Sequence, residues 1–140
     1  AGIIAKKLGL PIDHFVASTN VNDTVPRFMK NGNYDPKPSI ATISNAMDVG
    51  NPSNFIRIQE MYDNDLALFK KDFTSFSYSD TETLEVMQSI YSSTGYIAEP
   101  HGAVGYLGLK KELENINNSL NKFNKARYMK SSNLGSLYDE

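Results

Sequence analysis

The stretch His14-Phe15-Val16-Ala17-Ser18-Thr19-Asn20-Val21-Asn22-Asp23-Thr24 decides the fold class. Its first six residues are β-compatible and fit a short buried strand. The next five form a turn rich in capping groups. Asn22 or Asp23 can cap a helix running through Val25 to Met29, which Asn31-Gly32 ends. A strand that feeds a polar turn and then a helix is the building unit of an α/β arrangement.

Working outward, Ala1 to Leu8 is helical in pattern, with Ile3, Ile4 and Leu8 on one face; Gly9 and Pro11 stop it. Asn33 to Ser39 holds two prolines and reads as loop. Ile40 to Ser44 predicts a short second strand. Asn51-Pro52 predicts a helix start, with Asn as cap and Pro in the first turn. Phe55, Ile58, Met61 and Tyr62 recur on one face to about Asp65, and Leu66, Leu68 and Phe69 extend the pattern. Phe73 to Tyr78 predicts a strand or an extended connector.

Ser79-Asp80-Thr81-Glu82 is a capping box, in which hydroxyl and carboxylate each satisfy an amide. Its helix carries Leu84, Met87, Ile90 and Tyr91 and ends at Gly95. Tyr96-Ile97-Ala98 predicts a brief strand. Pro100 opens a helix with Ala103, Val104 and Leu107 on one face and Lys110, Lys111, Glu112 and Glu114 toward water. From Asn115 the apolar periodicity fades among asparagines, which predicts a frayed helix and then a mobile tail over 115–140. The class is therefore α/β, with few strands flanked by helices and partner strands expected in sequence outside this chain.

The 140 residues suffice for one domain with a core, and 40% hydrophobic against 21% charged residues is an ordinary globular balance. A net charge of -2 supplies no field that favours nucleic acid or an anionic membrane, so neither is expected as a partner. The absence of cysteine excludes disulfides, thiolate metal sites and a cysteine nucleophile. Cytoplasm is the default compartment. No apolar run is long enough for a membrane span. The start, Ala1-Gly2-Ile3-Ile4, has no signal-peptide features and opens inside a helical pattern, which predicts a piece of a longer protein.

In open α/β sheets, ligands gather beyond the carboxyl ends of the strands. Two polar segments follow such ends, 20–24 and 44–54, and each leads into a helix start where free amides favour an anion. Capping and turn formation explain the same residue types, but the second segment offers more polar side chains than capping needs. His14 reads as structural. His101, in Glu99-Pro100-His101-Gly102, can bond a ligand or merely cap. No histidine pair has metal-ligand spacing, so no metal is expected. None of the eleven lysines has the desolvated or densely polar setting that a Schiff-base amine requires.

Four ordered stretches resemble the threonine synthase family. They are Ala1 to Ile12, then Asn22-Asp23-Thr24-Val25-Pro26-Arg27-Phe28, then Ala41-Thr42-Ile43-Ser44-Asn45-Ala46-Met47-Asp48-Val49-Gly50-Asn51-Pro52-Ser53-Asn54-Phe55-Ile56-Arg57, and Gly95-Tyr96-Ile97-Ala98-Glu99-Pro100-His101-Gly102-Ala103-Val104-Gly105-Tyr106. The match covers about residues 1 to 113. It implies a partial three-layer sandwich of a fold-type-II pyridoxal-phosphate enzyme, with residues 1–114 as the C-terminal part of the large domain and 115–140 as a divergent tail.

The implied activity is conversion of O-phospho-L-homoserine and water to L-threonine and phosphate. The resemblance implies Asn45, Asp48, Ser53, Asn54 and Arg57 on the substrate and phosphate side, with Asn22, Asp23, Thr24 and His101 as secondary candidates. The Schiff-base lysine and the phosphate loop belong to family sequence that would precede Ala1. The chain alone is therefore expected to bind no pyridoxal phosphate and to be inactive. Its expected partners are the remaining N-terminal part of the enzyme, a phosphorylated amino acid, and, by self-association, a second copy of the chain. The alternative is a non-catalytic phosphate-binding or protein-interaction module derived from the same fold.

Overall fold

The computed structural model describes residues 1–135, with side chains described through residue 125. Two compact units are present, Ala1–Leu109 and the residues from Lys110 onward. The first contains α1 (Gly2–Lys7), β1 (Phe15–Thr19), α2 (Thr24–Asn31), a 3-10 turn (Asn45–Met47), α3 (Phe55–Met61), α4 (Leu66–Asp72), β2 (Phe73–Ser77) and α5 (Asp80–Thr94). The final helix, α6, runs Pro100–Gly135.

β1 and β2 form a two-stranded parallel sheet, in register from Phe15 opposite Phe73 to Thr19 opposite Ser77. Parallel pairing needs a long crossover, and residues between the strands supply it with three helices. The observed class is α/β, a small parallel sheet flanked by helices. Phe28, Met29, Phe55, Tyr62 and Phe69 form the core of this unit. Aromatic rings hold it together by edge and stacked contacts. Phe28 meets Phe55 at 4.9 Å and 77°, and Tyr34 stacks on Phe55 at 5.1 Å and 7°.

The local signals at several boundaries act as read. Gly9, Gly32 and Gly95 take positive φ (94°, 79° and 73°), where a side chain would be strained. The capping box is complete: Ser79 Oγ accepts from Glu82 N, and Glu82 Oε2 accepts from Ser79 N at 2.8 Å.

Other boundaries differ, each for a traceable reason. No strand forms over Ile40 to Ser44. The Ile40 backbone is instead bonded by a side chain: its N–H donates to Asn22 Oδ1 at 2.8 Å and its carbonyl accepts from Asn22 Nδ2 at 2.9 Å. Tyr96-Ile97-Ala98 is likewise not a strand, being confined between left-handed Gly95 and the start of α6, with Ile97 exposed.

α3 begins at Phe55 rather than behind Asn51, because the Asn51 carboxamide accepts the Tyr34 hydroxyl at 2.8 Å. The helical pattern from Phe55 to Phe69 is two helices. Asp63 and Asn64 adopt left-handed φ of 54° and 56°, which these residue types tolerate, and Asp65 then caps α4 by accepting from Ala67 N at 2.7 Å. At α2, Asp23 pairs with Arg27 at 2.8 Å instead of capping with its side chain.

Tyr62 is a buried polar anchor. Its hydroxyl donates to Asp72 Oδ2 at 2.9 Å, and Lys6 Nζ holds the other oxygen at 2.9 Å, tying α1 to α4. Burial, then the Asp72 carboxylate, push the Tyr62 phenol up from 10.0 to about 12. A raised acid favours the fold below its unfolded value and loses that contribution as pH climbs through the folded one. The stability difference between the native chain and Tyr62→Phe is therefore expected to shrink in urea melts between pH 10 and about 12. A difference that stays flat would contradict this.

In the second unit, α6 continues through the asparagine-rich stretch, with Lys111 paired to Glu114 at 3.7 Å. The tail expected over 115–140 is helical as far as Gly135, and residues 136–140 lie outside the described residues.

Candidate functional site

Where β1 ends, the chain turns into a buried polar cluster. Asn20 is 1% exposed and forms its centre. Its Nδ2 lies 2.8 Å from both Thr42 Oγ1 and Asp48 Oδ1 and 3.1 Å from Ser44 Oγ. Its Oδ1 accepts from both the backbone and the side-chain nitrogen of Asn22, each at 2.9 Å. Thr42 donates to Asp48 twice, from Oγ1 at 2.7 Å and from its backbone N at 3.0 Å. The two polar segments, separate in sequence, are thus one structure.

The Thr42 hydroxyl does most to hold the Asp48 carboxyl below its usual range; burial opposes this, while the Thr42 amide, Asn20 and the nearby His101 assist. Asp48 is therefore an anion already surrounded by donors from its own loop and from the turn after β1. Thr24, 2% exposed, donates to the Gly50 carbonyl at 2.8 Å, and Gly50 N donates to Ser39 Oγ at 3.0 Å. These bonds fix the far end of the loop.

His101 reaches the same loop from the start of α6: Ala46 N donates to its Nε2 at 3.3 Å, and its Nδ1 lies 2.6 Å from Glu99 Oε2. Asn45, Ser53, Asn54 and Arg57 are all exposed and present their side chains to solvent. The structure thus brings Asn22, Asp48 and His101 onto one loop, leaves Asp23 to pair with Arg27, and uses Thr24 as a loop anchor.

Asn20 and Ser44 fall inside the two polar segments without being candidate site residues, and Thr42 lies outside both, within the run expected as a strand. Their common signal is a run of polar residues at a strand end, which does not reveal which side chains turn inward.

Lys6 is engaged with Asp72, and Lys7 lies 5.6 Å from the centre of the Tyr62 ring. The other eight lysines with described side chains are exposed. They do not fit the covalent anchor of pyridoxal phosphate, which requires a desolvated or densely polar setting. No group of His, Asp or Glu among the described residues is arranged to hold a metal ion. None of their helices is long and apolar enough to cross a membrane.

No family model matches the chain. It is 51% identical over 117 residues to threonine synthase from Haemophilus influenzae, covering 81% of this chain and 26% of that protein. The crystal structure of threonine synthase from Escherichia coli superposes with a TM-score of 0.72 at 43% identity, covering 80% of this chain and 26% of the other. Pyridoxal-phosphate-bound threonine synthase from Brucella melitensis superposes with a TM-score of 0.73 at 27% identity, covering 79% and 29%. The chain spans about a quarter of the length of the curated relatives it matches. By sequence and by fold alike, about four fifths of this chain is similar to about a quarter of the length of threonine synthases.

Proposed function

We propose that this chain supplies the substrate-side loops of a threonine synthase, which converts O-phospho-L-homoserine and water to L-threonine and phosphate. The observation that carries the reading is the buried Asn20–Asn22–Thr42–Ser44–Asp48 cluster, which fixes the loop bearing Asn45. A rigid polar loop at the carboxyl end of a parallel strand is where α/β folds bind ligands. Exposed Arg57 offers a guanidinium for the substrate phosphate, and exposed Asn45, Ser53 and Asn54 offer neutral donors.

Asp48 has a different role. An ionised carboxylate repels a phosphate dianion, and its oxygens are occupied within the buried cluster, so it shapes the site. Pyridoxal phosphate, when bound in the whole enzyme, supplies the electron sink. Its Schiff-base lysine comes from the remaining part of the enzyme, since the lysines described here do not fit.

In the full-length enzyme that contains this chain, Arg57→Ala is expected to raise KM for O-phospho-L-homoserine at least about tenfold, as loss of a charge-assisted contact to phosphate would. The measurement is phosphate release. The 140-residue chain alone is expected to release none and to give no internal-aldimine absorption with added cofactor. A borohydride-trapped adduct at one of its own lysines, with turnover, would refute the assignment of that lysine elsewhere. A full-length protein that releases no phosphate would favour a non-catalytic phosphate-binding module.

A further inference from the structure

We propose that His101, oriented by Glu99, is a positioning residue that holds the Asn45–Met47 turn and thereby places the Asn45 side chain; the link to substrate rests on the threonine synthase reading. The geometry is a relay from a helix start to a loop. Glu99 Oε2 accepts from His101 N at 3.0 Å, and its other oxygen accepts from Gly102 N, so this one carboxylate caps the first turn of α6. The same Oε2 lies 2.6 Å from His101 Nδ1. Chiefly the bond to the His101 side chain holds the Glu99 carboxyl below its usual range.

The tautomer follows from the two neighbours. A carboxylate only accepts, so Nδ1 carries the proton. A backbone amide only donates, so Nε2 at 3.3 Å from Ala46 N is bare. Both ring nitrogens are therefore in use, and neither use is helix capping, which Glu99 already performs.

Within the turn, Met47 N donates to Ser44 O at 2.8 Å and Asp48 N to Asn45 O at 3.1 Å. Ala46 N reaches out to a different element. On its other flank the turn is tied through Asp48 to Asn20 at the end of β1. Near His101, α6 is itself fixed, since Ala103 and Val104 are 0% exposed. The turn that carries Asn45 is thus pinned from the strand side by Asn20 and from the helix side by His101.

Two variants test this in the full-length enzyme containing the chain. His101→Asn keeps a polar group at the Nδ1 place, beside Glu99, but cannot reach Ala46. His101→Gln carries a carbonyl to the Nε2 place. His101→Asn is expected to speed hydrogen exchange at the Ala46 amide about tenfold, the factor for losing one hydrogen bond of ordinary strength. It is also expected to raise KM for O-phospho-L-homoserine several-fold while kcat changes little, and His101→Gln is expected to recover most of both.

Nitrogen-15 spectra are expected to show His101 with a bare Nε2. A proton on Nε2, unchanged Ala46 exchange in His101→Asn, or a KM equal to the native value would each overturn the proposal. If the native enzyme releases no phosphate from this substrate, the functional reading fails, and the tautomer and exchange measurements still decide whether His101 holds the turn.

Discussion

Replacing Asn20 with alanine is expected to destabilise the fold by about 3 kcal/mol and to loosen residues 40–48. The side chain is almost fully buried, and both ends of its carboxamide are in use. Alanine removes the donor that serves Asp48 and Thr42, each at 2.8 Å, and the acceptor that serves the Asn22 backbone amide at 2.9 Å. Each buried group left without a partner costs roughly 1–3 kcal/mol, and water entering the vacated space recovers part of that.

The Asn22 carboxamide also loses its brace. It holds Ile40 at both the N–H and the carbonyl, so the disturbance travels into the loop. Asn20→Asp separates chemistry from volume. It keeps the shape and Oδ1 but sets a second carboxylate against Asp48, and it is expected to destabilise comparably. Urea unfolding measures the loss, and hydrogen exchange over 40–48 locates it. A loss below about 1 kcal/mol for both variants, the size of an ordinary surface cap, would show that the cluster does not hold the loop.

Gly50→Ala is expected to cost a similar amount, about 3 kcal/mol, for a steric reason. A Cβ at residue 50 would collide with the Lys37 carbonyl oxygen and approach Lys37 C at 3.0 Å and Pro38 C at 3.1 Å. Those are backbone atoms, so no rotamer change relieves the contact. Gly50 cannot step aside either: its N–H is held by Ser39, and its carbonyl accepts from Thr24 at 2.8 Å and from Lys37 N at 3.3 Å.

Two helical glycines calibrate the expectation. At Gly108 a Cβ would collide with Ser18 Oγ and sit 3.0 Å from Ser18 Cβ. Alanine gains about 1 kcal/mol of helix propensity there, so its net cost is smaller than at residue 50. At Gly105 nothing lies within 4 Å, and alanine is expected to be neutral or stabilising. Thermal or urea melts that ranked Gly105→Ala below Gly50→Ala in stability would reverse the argument.

Much of the local structure was legible from neighbours in sequence. The capping box at Ser79 and the glycines at 9, 32 and 95 act within a few residues of themselves, so their meaning survives in any fold. The β-compatible runs at Phe15 and Phe73 likewise became strands. The errors share a cause. Asn51 read as a cap until a distant Tyr34 hydroxyl claimed its carboxamide. Ile40 to Ser44 read as a strand because its composition suits one, yet a strand needs a backbone partner, and the Asn22 side chain took that place.

The candidate site divides in the same way. Sequence by itself determined that two polar segments follow strand-compatible runs, and that four ordered stretches resemble threonine synthase. Only the tertiary structure decided that the segment after β1 and the later loop are one buried cluster centred on Asn20, and that His101 closes on Ala46. Hydrogen bonds between residues 22 to 55 positions apart form when the strand and helix ends that carry them are brought together by packing of the core. Spacing along the chain does not encode that proximity; burial of Phe28, Phe55 and Phe69 in one core and of Ala103 and Val104 on α6 creates it.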